Sequence, residues 1–185
     1  MNYIGVYDNT ITKKECEILI NQFEKSPHTP GIFNKDEVGL FVDESIKKCV
    51  QLNGSRFSDN SVISNLVFPI LAKYIDKYTI KYPQLNEVSC WRLDDGYNFQ
   101  KYEAEDDGFK KWHTEHSPNN PMRVLAWMFY LNDAKCGTEF MNYSTIKAKR
   151  GRCVIWPAAF THVHRGVIPN KGLKYIVTGW VSFEK

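Results

Sequence analysis

The feature that most constrains this chain is a His-x-Glu pair, His113 and Glu115, followed by His164 about fifty residues later. Side chains alternate along a β-strand, so on a strand His113 and Glu115 would project from one face, with Cα atoms roughly 6.5 Å apart. Thr114 would point away. Because the third side chain has to come from a distant strand, the sequence favours a fold that brings remote strands together around one metal ion.

Two imidazoles and one carboxylate on one side of a metal leave its other positions open, as in non-heme Fe(II) oxygenases. The zincin pattern H-E-x-x-H does not occur in the sequence, which argues against a metalloprotease. Periodicity does not separate His164 from His162, since both would lie on one face of the same strand. The residues alone leave two candidates for the distal ligand.

A β-patterned run at the end of the chain carries a lysine on what would be an interior face. Lysine is costly in a mostly apolar interior unless an anion occupies the site with it. A dicarboxylate co-substrate would be such an anion. The residues that share this face are Lys174, Ile176, Thr178 and Trp180.

These motifs resemble 2-oxoglutarate- and Fe(II)-dependent dioxygenases, and within that superfamily the prolyl 4-hydroxylase type. The resemblance covers about residues 88–183 and implies a double-stranded β-helix, or jelly roll. Two positions depart from the usual pattern: Glu115 replaces the more common Asp, and Cys136 stands where a second Gly is common. The motifs that carry the resemblance are His113-Thr114-Glu115, the run Arg123 to Asp133, Cys136-Gly137-Thr138-Glu139-Phe140, and His164 through Lys174 to Trp180.

The resemblance also implies roles for individual residues. It selects His164 over His162, because in this type the distal His precedes the basic residue by ten, with a glycine, here Gly172, two before that residue. Three roles follow. The expected metal ligands are His113, Glu115 and His164; the expected co-substrate contacts are Lys174, Tyr102 and Thr178; the expected substrate-side residues are Arg123, Trp127 and Trp180.

The activity that the resemblance implies is hydroxylation of peptidyl proline at C4, with release of succinate and CO2. The implied cofactors are Fe(II), 2-oxoglutarate, O2 and ascorbate as a reductant, and the implied partner is a proline-rich peptide or protein. Two alternatives stay open from the sequence. One is an oxygenase that acts on a nucleobase, free amino acid or lipid, and the other is a non-catalytic β-helix binding module.

The expected fold is α+β and mainly β, with N-terminal helices bracing the jelly roll. We expect one domain over residues 1–185, in which 1–87 form a helical support region and 88–185 the catalytic core. A capping-box pattern at Thr12 predicts a helix over about 12–25. A second helical pattern runs from Asn60 to Tyr82, with Pro69 predicting a kink or a helix start near 69.

Other parts of the chain give weaker indications. The alternation in 3–7 and after Pro83 predicts strands. Residues 27–58 show no clear period, and they fit a loop that shapes the substrate mouth or an ordinary surface connection.

Composition excludes several classes of partner. A formal charge of +3 with dispersed Lys and Arg does not indicate a nucleic-acid partner. Five cysteines without a C-x-x-C pair predict neither a zinc module nor a disulfide framework, which fits a reducing compartment. No apolar run approaches the length needed to span a bilayer, and no signal-peptide pattern opens the chain. The expected location is therefore the cytoplasm, away from membranes.

Overall fold

The structure, a computed structural model, describes residues 1–35, 39–57, 61–103 and 106–184. Over these residues the chain is mainly β, as expected. The helices are α1 (Lys13–Glu24) and α2 (Val62–Lys81), with short 3-10 turns at Pro83–Glu87 and Phe160–His162. The strands are β1 (Gly5–Tyr7), β2 (Thr29–Pro30), β3 (Phe33–Lys35), β4 (Gly39–Phe41), β5 (Lys47–Lys48), β6 (Val50–Ser55), β7 (Trp91–Tyr102), β8 (Gly108–Phe109), β9 (Arg123–Tyr130), β10 (Gly137–Phe140), β11 (Ile146–Lys147), β12 (Arg152–Pro157), β13 (His164–Gly166) and β14 (Lys174–Phe183).

Helix α1 forms where the capping box predicts it. The Thr12 hydroxyl accepts a hydrogen bond from the Glu15 backbone N–H, and the Glu15 carboxylate accepts one from the Thr12 backbone N–H at 2.8 Å. These two bonds satisfy donors that the first helical turn leaves unpaired. Cys16, Leu19 and Phe23 form the buried face of the helix.

Helix α2 does not start near Pro69, which was one of the two outcomes that the sequence predicted there. It begins at Val62, where the Ser61 side chain accepts a hydrogen bond from the Ser64 backbone N–H, and it continues through Pro69 to Lys81. Proline costs a helix one backbone hydrogen bond. The buried face on both sides of Pro69, formed by residues such as Val67 and Leu71, keeps the segment helical. Asn60, where the pattern begins, lies outside the described residues.

A seven-stranded sheet and a three-stranded sheet form the two layers of the jelly roll, which confirms the predicted fold class. The large sheet has the order β1-β12-β9-β14-β7-β6-β2, and the small one the order β11-β10-β13. The antiparallel strands leave two buried cores. One lies between the large sheet and the two helices, and the other lies between the two sheets.

The boundaries of several strands differ from the sequence expectations. Val88 and Cys90 precede β7, which starts at Trp91. Within residues 27–58, β6 pairs with β7 along six positions and extends the large sheet. This segment therefore contributes a strand where the sequence predicted a loop. No helix in the described part of the chain is long and apolar enough to cross a membrane.

Candidate metal centre and active-site cavity

A cavity of about 580 Å³ opens between the large sheet and the segments that face it. Strand alternation explains its lining, because every second residue of β7 and β14 points into it. The opposite residues of the same strands pack against the helices. Eight of the nine site residues expected from the sequence line the cavity: Tyr102, His113, Glu115, Arg123, His164, Lys174, Thr178 and Trp180.

His113, Glu115 and His164 bring three potential metal-ligand atoms together, all within 4.8 Å of one another. The Oε1 atom of Glu115 lies 3.9 Å from Nε2 of His113 and 3.4 Å from Nε2 of His164. An isolated antiparallel bridge holds the two histidine backbones, with both N–H to O distances at 3.0 Å. The three donors have the composition and spacing of a site for a divalent metal.

Backbone carbonyls set which nitrogen each imidazole offers. Nδ1 of His113 lies 2.9 Å from the Lys111 carbonyl oxygen, and Nδ1 of His164 lies 2.9 Å from the His162 carbonyl oxygen. A carbonyl only accepts, so each Nδ1 carries the proton and each Nε2 lone pair faces the centre. Burial is the main cause that lowers the pKa of His113 to about 3, and His164 adds to it, so the His113 imidazole stays neutral and able to ligate.

His162 lies away from the other three side chains. It belongs to a 3-10 turn, and its Nε2 lies 2.8 Å from the Asn2 carbonyl oxygen while its Nδ1 meets the Thr161 hydroxyl. The strand that both histidines were expected to share begins only at His164. The geometry therefore supports the choice of His164.

The outer oxygen of Glu115 is held by two side chains of the cavity wall. Trp180 donates its indole N–H to Oε2 at 2.7 Å, and Nη1 of Arg123 lies 3.4 Å from the same atom. The guanidinium stacks on the Trp180 ring at 3.5 Å. Burial alone would raise the pKa of Glu115, but its contacts with His164, His113 and Arg123 lower it below its ordinary value. Glu115 is therefore an oriented carboxylate with Oε1 free for a metal.

The expectation that His113 and Glu115 lie on a regular strand is wrong. Only His113 makes a ladder contact, and the backbone N–H of Glu115 donates instead to the Ala158 carbonyl at 3.2 Å. Thr114, which a strand would turn away, also lines the cavity. The pair converges because an irregular segment is fixed by bonds to two neighbouring segments.

Lys174 is the buried cation that the sequence led us to expect. Its residue is 3% exposed, and its ammonium lies 4.2 Å from the centre of the Tyr102 ring. Among the described residues no carboxylate lies within 4 Å of it, and burial lowers its pKa. The Tyr102 hydroxyl donates to Oε1 of Gln100, and the Thr178 hydroxyl donates to the Trp127 carbonyl.

Trp127 is the one expected site residue that does not line the cavity. It is fully buried in the core beneath the helices, with its ring 6.0 Å from that of Phe68 on α2. Its β9 neighbours Ala126 and Met128 belong to the core between the two sheets. Since alternation fixes opposite directions for adjacent residues, Trp127 cannot face the substrate.

The sequence analysis missed a set of polar residues that line the same cavity. The alternation of Asn98 and Gln100 with the apolar Tyr97 and Phe99 was the signal that could have indicated a polar wall on β7. Lys47 offered no sequence signal, because its segment has no period. The missed polar residues include Lys47, Gln51, Asn53, Asn98 and Gln100.

Comparison with known proteins agrees with this site. The 2OG-Fe(II) oxygenase superfamily matches residues 97–182, the segment that holds all three candidate ligands. No curated protein matches the chain.

Solved structures share the fold over nearly the whole chain. The viral collagen prolyl hydroxylase vCPH from Paramecium Bursaria Chlorella virus-1, in complex with 2OG, has a TM-score of 0.69 at 16% identity, covering 98% of this chain and 97% of its own. A Trichoplax adhaerens prolyl hydroxylase bound to a hypoxia inducible factor peptide has a TM-score of 0.74 at 13% identity, covering 98% and 84%. The non-heme α-ketoglutarate-dependent epimerase SnoN, from nogalamycin biosynthesis, has a TM-score of 0.65 at 12% identity, covering 98% and 78%.

The superfamily match and the shared fold confirm the resemblance seen in the motifs. Residues 97–182 match the 2OG-Fe(II) oxygenase superfamily, which supports a 2-oxoglutarate-dependent dioxygenase, and the fold is that of the prolyl hydroxylases.

Proposed function

We propose that this enzyme hydroxylates peptidyl proline at C4, consuming O2 and 2-oxoglutarate and releasing succinate and CO2. One observation carries the proposal: the His113, Glu115 and His164 donors share a cavity with a buried lysine, Lys174, that forms no ion pair with the described carboxylates. A metal centre and a cation on one wall are what a chelating 2-oxo dicarboxylate requires.

The three donors fit Fe(II). Two neutral imidazole nitrogens and a carboxylate oxygen suit this ion, and three protein ligands leave positions open. Bound there, Fe(II) would supply the activation of O2 that inserts one oxygen atom into a C–H bond. Arg123 and Trp180 would keep Oε1 of Glu115 directed at the ion by holding Oε2.

Lys174 would bind the distal carboxylate of 2-oxoglutarate. A buried ammonium with no acid partner among the described residues is stabilised by an incoming anion. Tyr102, whose ring lies under the ammonium, and Thr178, four residues further along the same face of β14, would complete this subsite. Ascorbate as a reductant is part of the proposal.

A peptide substrate is supported by the neighbours with the same fold, one of which binds a hypoxia inducible factor peptide. Arg123 and Trp180 line the cavity beside Glu115, where a substrate would meet the metal. A second candidate is a small non-peptide substrate, because the structurally similar SnoN is an epimerase of nogalamycin biosynthesis and because this cavity has a strongly polar wall.

The test is mass spectrometry of proline-containing peptides incubated with enzyme, Fe(II), 2-oxoglutarate and ascorbate. We expect a gain of one oxygen on proline, with succinate formed in equal amount, and neither product with the Glu115→Ala variant. If no peptide is oxidised while a nucleoside, amino acid or lipid stimulates succinate formation, the peptide proposal is wrong and the second candidate replaces it.

A further inference from the structure

A second buried lysine, Lys47, lines the same cavity as Lys174. Lys47 is 3% exposed and its backbone pairs with Phe109, whose ring stacks on His113 at 3.7 Å. Lys174 pairs instead with Tyr102 in the large sheet. The cavity therefore carries two buried cations, whose ammonium groups have different partners.

Lys47 has hydrogen-bond partners but forms no ion pair with a described carboxylate, and Glu115 acts on its charge only from a longer distance. Its ammonium donates to the Ile32 carbonyl at 2.9 Å and to Oε1 of Gln51 at 2.8 Å. Within the described ranges, no carboxylate lies within 4 Å of it. An ammonium has three N–H groups, so one is left for a ligand. A buried charge in this state is stabilised by an anion that enters the cavity.

The bonds around Lys47 fix the direction of a short amide relay. An ammonium only donates, so the Gln51 atom that faces it is the oxygen. The Gln51 amide nitrogen then donates to Oδ1 of Asn53 at 2.9 Å. Asn53 is exposed and also lines the cavity, so its N–H2 group remains directed to ligands rather than its oxygen. From Lys47 outward, the wall presents donors, which select a ligand rich in acceptor oxygens.

We propose that Lys47, with the Gln51–Asn53 relay, binds a carboxylate of the primary substrate. This inference rests on the proposed function, because 2-oxoglutarate then fills the metal centre and Lys174 with its two ends and leaves Lys47 for another anion. The substrate class is a proline compound that carries a carboxylate. The carboxylate comes from an acidic side chain beside the proline of a peptide, or from free proline itself.

The test measures binding without turnover, on Mn(II)-loaded protein saturated with 2-oxoglutarate. Calorimetry compares acetyl-Gly-Pro-Asp-amide with its Asn counterpart, and L-proline with L-prolinamide. In the parent, the acid of at least one pair binds about tenfold to a hundredfold more tightly than its neutral partner. The pair that shows the preference identifies the source of the carboxylate.

Two variants and a matched control assign that preference. Lys47→Met reduces it to less than about threefold while 2-oxoglutarate affinity stays near the parent value, which also shows that the variant is folded. Asn53→Asp, a change at an exposed residue, places a negative charge that repels the carboxylate of the ligand, so it also reduces the preference for the acid. Lys48→Met retains it, because the neighbouring Lys48 pairs with Asp106 outside the cavity at 2.8 Å.

The inference is overturned if no acid is preferred, or if the preference survives in Lys47→Met. It is also overturned if Lys47→Met loses 2-oxoglutarate binding, as we expect of Lys174→Met. Its failure is separable from failure of the proposed function. If proline is hydroxylated regardless of the acidic group and of Lys47, the proposed function holds and the carboxylate site is wrong. If an acid binds in a Lys47-dependent way but no proline is hydroxylated, the carboxylate site holds and the proposed function is wrong.

Discussion

The two faces of β7, β9 and β14 carry opposite kinds of residue, although they belong to the same strands. The face toward the helices buries an apolar core that includes Phe99, Trp127 and Val177. The face toward the cavity carries Gln100 and Lys174 in a polar interior. Because side chains alternate along each strand, one face of this layer stabilises the fold and the other carries the residues of the candidate active site.

Substitution of a tryptophan on each face gives the largest contrast. Trp127→Ala should lower the free energy of unfolding by about 3–5 kcal/mol, because it empties a packed, fully buried site. Trp180→Ala should cost less than half of that, since Trp180 is only partly buried. Urea denaturation measures both. Equal losses of unfolding free energy in the two variants would contradict the different roles of the two faces.

The hydrogen bond from Trp180 to Glu115 gives the next contrast. Trp180→Phe keeps an aromatic ring but removes the indole N–H, so the affinity for Mn(II) should fall about tenfold to a hundredfold. Trp91→Phe is the matched control, because Trp91 donates to the Leu85 carbonyl outside the cavity. Equilibrium dialysis gives both affinities. If Mn(II) affinity is unchanged in Trp180→Phe and falls only in the control, the positioning role of Trp180 is refuted.

The two faces also differ in how their lysine charges are paired. Lys101 lies 3.3 Å from the Glu24 carboxylate, whereas Lys174 has no acid partner among the described residues. Lys174→Met should therefore weaken 2-oxoglutarate binding to Mn(II)-loaded protein about tenfold to a hundredfold, with metal affinity nearly unchanged. Lys101→Met should leave it unchanged. Similar 2-oxoglutarate affinity in Lys174→Met and the parent, measured by calorimetry, would place Lys174 outside the subsite.

An exposed ion cluster gives the smallest effect and sharpens the contrast with the buried charges. Asp8 accepts from Arg152 at 2.7 Å and from Lys149 at 2.8 Å, and the hydrogen bond from Arg152 contributes most to lowering its pKa to about 2. Because this pKa lies below the ordinary 3.8, the stabilisation is complete above pH 3.8 and is lost as the pH falls toward 2. Discounted for solvent screening, Asp8→Asn should cost about 0.5–1 kcal/mol at pH 6.

The same comparison at lower pH tests the sign. Urea denaturation should give a difference between parent and Asp8→Asn that is about half as large at pH 3 as at pH 6. Asp76→Asn is the control, since Asp76 is exposed on α2 and makes no ion pair with the described residues. A difference that grows toward pH 3 would contradict the lowered pKa.

The resemblance of the motifs predicted the jelly roll, whereas α1 followed from the sequence itself, because a capping box and helical periodicity are local signals. The sequence identified the cavity face of β14 for the same reason. It misplaced Trp127, because an apolar strand buried on both sides hides which face each residue takes. It missed Lys47, because an aperiodic segment enters the cavity only through long-range pairing of β5 with β8.

Anaerobic Fe(II) binding tests the central claim, that His113, Glu115 and His164 form the metal centre, most directly. Equilibrium dialysis should find one Fe(II) per chain in the parent and in His162→Ala, whose imidazole bonds to Asn2 away from the centre. His164→Ala should lose most of the affinity, because only two protein ligands remain. Full binding by His164→Ala, with the loss in His162→Ala instead, would contradict the assignment of the metal centre.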